Sequence, residues 1–156
     1  MKEFEKNWKF SESWMDEIKR ILKSQAMHIV DIEVATPDED MKQSTDLKIK
    51  ITSGTVAVRI RRAFYNFRDL TIRSKNGNAK TEIHKLREGF ARWYLYLWTN
   101  ENKEICDWIL VDVDAMRLCG LLADERPTKM NKDGYTGFVS YSINELDTAG
   151  ALVARK

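Results

Sequence analysis

Apolar and polar residues alternate at every second position in several short stretches of this chain, and in two others they recur at three- and four-residue steps. The alternating stretches predict strands. HIVDIEVA (28–35) is the first. From Asp46 to Ile51, Leu47, Ile49 and Ile51 face one way, while Asp46, Lys48 and Lys50 face the other. Val56, Val58 and Ile60 oppose Arg59 and Arg61, and Leu70 and Ile72 oppose Thr71 and Arg73. Ser53-Gly54 is a tight-turn signal that predicts a hairpin between the second and third of these strands. WYLYLWT and DWILVDVDAM read as two further strands joined by the turn NENKE, and GFVSYSI reads as a last one.

The helical spacing predicts a helix over 11–27, capped by Ser11 or Ser13, with Asp16 and Glu17 in its first turns and Trp14, Ile18, Ile21 and Leu22 on one face. A second helix is predicted over 82–92. Thr81 caps it, and Ile83, Leu86, Phe90 and Trp93 form its stripe. Gly89 either weakens this helix by about 1 kcal/mol relative to alanine or marks a close approach to the sheet. Leu118 to Ala123 reads as a short helix, PTKMNKDG as a loop, and NELDTAGALVARK as a tail without assigned structure. The order is helix, three or four strands, helix, two strands and a C-terminal appendage. It predicts an α+β fold with an antiparallel front and one helix crossing over to a later strand.

With 156 residues the chain reads as a single domain over 1–156, with a core at about 11–115 and a C-terminal extension at about 116–156. A net charge of +2, from 26 basic and 24 acidic residues, means that any electrostatic footprint is local. Cys106 and Cys119 fit neither a zinc site nor a disulfide framework, which points to a reducing cytoplasm. No apolar run reaches the ~18 residues of a membrane span, and MKEFEKNWKF lacks the apolar centre of a signal peptide. The expectation is a protein of the cytoplasm that does not engage membranes.

The segment from Thr45 to Ser74 carries the most chemistry. Asp46 opens one strand, and Arg59, Arg61, Arg62, Arg68 and Arg73 crowd the strands that follow and the link between them. Arginine suits phosphate because its planar fork donates two parallel hydrogen bonds. The same residues also fit a solvated face, with Asp46 paired to Arg59 or Arg61 across the predicted hairpin.

The element order, with an acid at the head of the second strand, resembles the core of the PD-(D/E)XK superfamily, the restriction-endonuclease-like fold, which runs α-β-β-β-α-β with a mixed sheet. The resemblance implies that Asp46 in STDLKI is the first acid of a metal-dependent nuclease binding Mg²⁺ or Mn²⁺. The acid-x-lysine that such enzymes carry on the next strand is replaced here by Arg59-Ile60-Arg61. An arginine in that place repels a divalent ion, so a displaced acid is needed: Glu17 on the first helix, or Asp31 or Glu33 on the first strand. The chain also resembles small phage proteins with a D…VRIR…TIR pattern followed by a helix of the form K-x-x-x-G, here Lys85-Leu86-Arg87-Glu88-Gly89.

Two functions follow as expectations. In the first, the protein acts on nucleic acid, with DNA the expected partner. Arg59, Arg61, Arg62, Arg68 and Arg73 would contact phosphates with Lys85 as helper, and either cleavage or binding alone would follow. In the second, it is an interaction module that binds and blocks a host protein, without catalysis.

The other candidates have plain explanations beside the chemical ones. Asp112 and Asp114 are a paired-carboxylate site or a polar strand end with Arg117 as partner. The run Trp93 to Trp98 is a base-stacking platform or a strand buried on both faces. Asn131-Lys132-Asp133-Gly134 is a calcium-loop fragment that a turn explains. His28 and His84 stand at no ligand or triad spacing, and both cysteines read as buried small hydrophobes.

Overall fold

The computed structural model describes residues 13–25, 30–34, 47–51, 54–62, 67–123 and 126–156. The chain divides into two compact units, Met1–Ser53 and Gly54–Lys156. Four helices and nine strands lie among the described residues, and the chain is α+β.

In the first unit, helix α1 (Met15–Ser24) buries Ile18 and Ile21 and carries Asp16 and Glu17 in its first turn. It starts after Trp14, whose side chain makes no capping bond; Ser11 lies outside the described residues. Strands β1 (Val30–Val34) and β2 (Leu47–Ile51) pair antiparallel. The register sets Val30, Ile32 and Val34 opposite Ile51, Ile49 and Leu47. The predicted turn at Ser53 falls outside the described residues, and the partner shown for β2 is β1.

The second unit contains β3 (Val56–Arg61), β4 (Asp69–Asn76), α2 (Glu82–Arg87), β5 (Trp93–Thr99), β6 (Ile105–Asp112), α3 (Val113–Leu118), β7 (Lys129–Met130), β8 (Thr136–Ser142), α4 (Ile143–Thr148) and β9 (Leu152–Arg155). One sheet has the order β3-β5-β6-β9 and is mixed: β3 runs parallel to β5, and the other pairs are antiparallel. A second, antiparallel sheet has the order β4-β8-β7. The parallel β3–β5 pair is the crossover expected from the sequence, made by way of β4 and α2.

One core joins both sheets. Tyr94, Tyr96, Trp98, Ile109 and Val111 of the first sheet meet Leu70, Ile72, Val139 and Tyr141 of the second, with Ile83, Leu86, Met116 and Leu146 from the helices. All seven residues of β5 are buried, because its other phase, with Leu95 and Leu97, is also enclosed. The segment expected as a C-terminal appendage supplies β7, β8, α4 and β9, including Val139, Tyr141, Leu146 and Ala151 of the core.

Helix ends explain where elements stop. α2 ends at Arg87 rather than at 92, because Gly89 turns the backbone at φ 89°. No atom lies within 4 Å of where its Cβ would sit, so conformation rather than close packing selects glycine. Phe90, expected on the apolar stripe, is therefore left 66% exposed. DWILVDVDAM is likewise two elements. Asp112 accepts a hydrogen bond from Ala115 N at 3.0 Å and caps α3, which converts VDAMRL to helix. Ser142 caps α4 in the same way through Glu145 N at 3.1 Å.

Tyr141 supplies a test of this core. Its ring is fully buried beneath the Arg126 guanidinium, 4.2 Å from the ring centre, and its hydroxyl makes no hydrogen bond. Burial, with Glu145 adding, pushes its pKa up to about 12 against the pull of Arg126 and Arg87. Between pH 10 and 12 the unfolded chain loses this proton and the folded chain keeps it, so stability falls as pH rises through that window. Tyr141→Phe is expected to be neutral or stabilising by up to about 1 kcal/mol at pH 7 and to flatten the alkaline loss. Urea unfolding at pH 7, 10 and 11 checks both signs.

Candidate nucleic-acid interface

The parallel pairing of β3 with β5 decides where the arginines of VAVRIRR point. Adjacent strands place paired residues on the same face, and the register sets Ala57 beside Tyr94, Arg59 beside Tyr96 and Arg61 beside Trp98. These tyrosines and Trp98 belong to the core, and Ala57 packs against it. The arginine phase of β3 thus faces the layer between the sheets, while Val58, on the apolar phase, is 41% exposed.

Glu82, the first residue of α2, holds this junction together. Its Oε2 accepts from Arg59 Nη1 at 2.9 Å and from the Arg73 backbone N–H at 3.1 Å. Its Oε1 accepts from the Tyr94 hydroxyl at 2.6 Å. One carboxylate therefore ties together β3, β4, α2 and β5. Burial first, and the Glu82 carboxylate second, hold the Tyr94 phenol well above its ordinary pKa of 10.0. Next to it the Tyr96 hydroxyl lies 2.7 Å from Thr71 Oγ1. Burial raises the Tyr96 pKa, with the Thr71 bond and the charges of Arg61 and Arg59 acting against it.

The structure distributes the expected phosphate-binding residues over several environments. Arg59 is half-buried and committed to Glu82. Arg61 is half-buried and Arg62 exposed. Arg68 is exposed, lies 5.5 Å over the Trp98 ring and pairs with Asp107 at 3.4 Å. Arg73 and Lys85 project into solvent, with no hydrogen bond or ion pair to either charged group among the described residues. Both are linked to Glu82, which bonds the Arg73 backbone and stands three positions before Lys85 on α2.

The outer face of the second sheet adds a feature that the arginine pattern does not announce. β8 alternates strictly: Gly137, Val139 and Tyr141 are buried, while Thr136, Phe138 and Ser140 are half-buried and Ser142 is exposed. Phe138 stands on the outward phase and outside the core cluster. Its register partners are Arg73 on β4 and Lys129 on β7, giving a row Arg73–Phe138–Lys129 across three strands. GFVSYSI carries the signal, one aromatic on the polar phase, but its neighbours are set by pairings some 60 residues apart along β4.

Other candidates resolve locally. The aromatic run of β5 is buried. Asp112 caps α3, and Asp114 pairs with Arg117 and, at 3.4 Å, with Arg92. His84 bonds Thr81 within the first turn of α2. Asp133 closes the β7–β8 turn through the backbone N–H groups of Tyr135 and Thr136 at 2.9 Å and the Thr136 hydroxyl, and these bonds lower its pKa. Cys106 is half-buried against the core, whereas Cys119 is exposed rather than buried.

The expected metal site has two parts. Asp46 lies outside the described residues, and the side chains of Asp31 and Glu33 are likewise not described. Glu17 pairs with Arg20 at 3.0 Å on α1. In the second unit, Glu82 is filled by three donors, one of them the Arg59 guanidinium, so this junction does not fit a divalent cation. Among the described residues, no three His, Cys, Asp or Glu side chains converge, and no helix is long and apolar enough to cross a membrane. Neither a family model, nor a curated protein, nor a solved structure matches the chain.

The Glu82 junction makes its own prediction. Tyr94→Phe removes a buried donor from a charged acceptor, and Glu82→Ala strands Arg59, Tyr94 and the Arg73 N–H together. Losses of about 1–2 kcal/mol for the first and about 2–4 kcal/mol for the second are expected. Denaturant midpoints check them, and a loss from Glu82→Ala no larger than that from Tyr94→Phe would contradict the shared-acceptor arrangement.

Proposed function

We propose that the protein binds nucleic acid through the basic surface around β4 and α2. The observation that carries this is the division of labour among the cations. Arg59 serves the fold through Glu82, while Arg73 and Lys85 beside it have solvated charges with no protein partner among the described residues. Cations held by a rigid scaffold but not neutralised by it are what a phosphate backbone requires. A chain with a net charge of only +2 presents such a surface only locally. Binding without cleavage is proposed, because β3 carries Arg59-Ile60-Arg61 where an acid-x-lysine would hold a metal. Free cysteines suit a cytoplasmic setting.

A second reading, a module that binds and inhibits a host protein, rests on large apolar side chains in solvent: Leu118 at 90%, Phe67 at 74% and Phe90 at 66%. Such residues scattered singly are common on soluble surfaces, so they weigh less than the free cations.

Fluorescence-anisotropy titration with labelled DNA and RNA at 50–200 mM salt separates the two. Log affinity is expected to fall linearly with log salt, and Arg73→Ala or Lys85→Ala to lower the slope by about 1 each at unchanged melting temperature. Arg59→Ala is expected to act mainly on stability. Affinity that ignores salt, or no binding to any nucleic acid, would move the assignment to the protein-partner reading.

A further inference from the structure

Resting on the nucleic-acid reading above, we infer that the outer face of the β4-β8-β7 sheet is a stacking platform for single-stranded nucleic acid, with one base laid on Phe138 and the flanking phosphates held by Arg73 and Lys129.

Paired residues of neighbouring strands share a face, and strands lie about 4.8 Å apart, so the two cations stand on either side of the aromatic, about 10 Å from each other at the backbone. The alternation of β8 directs Val139 and Tyr141 into the core and leaves Phe138 on the opposite side, where it belongs to no hydrophobic cluster. An aromatic that does not serve the core, set between two flexible cations, matches the needs of an unpaired strand: a flat ring for a base and positive charge for the backbone.

Both cations have capacity to spare. The Arg73 guanidinium has no partner among the described residues. The Lys129 ammonium, with three donors, uses one on Ser140 Oγ at 2.9 Å. The row beside it, Thr71 and Ser140, is small and uncharged, but Thr71 is buried against the Tyr96 hydroxyl, so the platform is confined to the Phe138 row and the β7 side of it. Of the acids nearby, Glu82 is occupied by its three donors, Glu145 by Arg126 and Asp133 by its turn, while Asp69, two rows along β4 on the Arg73 phase, has its Oδ1 buried without a hydrogen bond. A duplex keeps its bases stacked on one another and offers none to Phe138, so this face favours single strands.

The test uses the full chain with a labelled oligo-dT, an oligo-U and a duplex of equal length, titrated at low salt. The variants are Phe138→Leu, Phe138→Tyr, Lys129→Ala and Arg73→Ala. Phe138→Leu is expected to weaken single-strand binding about tenfold or more and to leave duplex binding nearly unchanged. Phe138→Tyr, which keeps a ring, is expected to retain affinity, and Lys129→Ala to lower the salt slope by about 1. Circular-dichroism melting accompanies each variant. Because Phe138 and Phe138→Tyr differ by one hydroxyl, retention in the tyrosine variant and loss in the leucine variant separates stacking from a folding defect. Equal affinity of Phe138→Leu and wild type for single strands, with Arg73→Ala still weaker, would overturn the platform and leave the nucleic-acid reading intact. No salt-sensitive binding by the wild type would overturn both.

Discussion

Everything distinctive about the second unit depends on one carboxylate. Glu82 sits at the head of a six-residue helix and takes a guanidinium from β3, a backbone N–H from β4 and a phenol from β5. β3 and β4 are edge strands of different sheets, and edges expose unpaired backbone groups. Glu82 satisfies one of those on β4 and neutralises a cation that β3 turns toward the inside. A half-buried guanidinium needs such a partner, because an uncompensated charge between two sheets is strongly destabilising. The junction also fixes the backbone of Arg73 while leaving its charge in solvent, which ties stability to the surface proposed for nucleic acid.

The core explains why that arrangement is tolerated. Tyr94 and Tyr96 bring phenols into a layer otherwise filled by Leu70, Ile72, Ile109 and Val139, and each phenol has a polar partner in Glu82 or Thr71. Tyr141 is the exception, with a hydroxyl that finds no hydrogen bond and an Arg126 guanidinium over its ring. Buried polar groups in this unit are therefore of two kinds, one that organises the strands and one that the fold merely accommodates.

Much of this was legible in the sequence, and the gaps have physical causes. The run WYLYLWT announces a strand buried on both faces because no polar phase is present, and alternation places β3, β4 and β8 to within two residues. Helix ends were less visible. Gly89 reads as a weak interior residue or a point of close approach to the sheet, and only its φ of 89° shows it to end the helix, while VDAMRL continues an apolar run that only the Asp112 cap converts to helix. Alternation shows that Arg59 and Arg61 share a face, but not that β5 is the neighbour that turns this face inward. The importance of Glu82 and Phe138 arises from pairings across long stretches of chain, β3 with β5 and β4 with β8, which no local pattern contains.

Cations left unneutralised by the fold, around β4, α2 and the outer row of the second sheet, form the surface proposed for nucleic acid. Two-dimensional amide NMR of the labelled protein, titrated with a short single-stranded oligonucleotide, tests it most directly. Shift changes are expected to concentrate at Arg73, Phe138, Lys129 and Lys85, with the interior residues Leu95, Leu97 and Leu110 silent. Changes confined to the surroundings of Leu118, Phe67 and Phe90, or none at all, would contradict it.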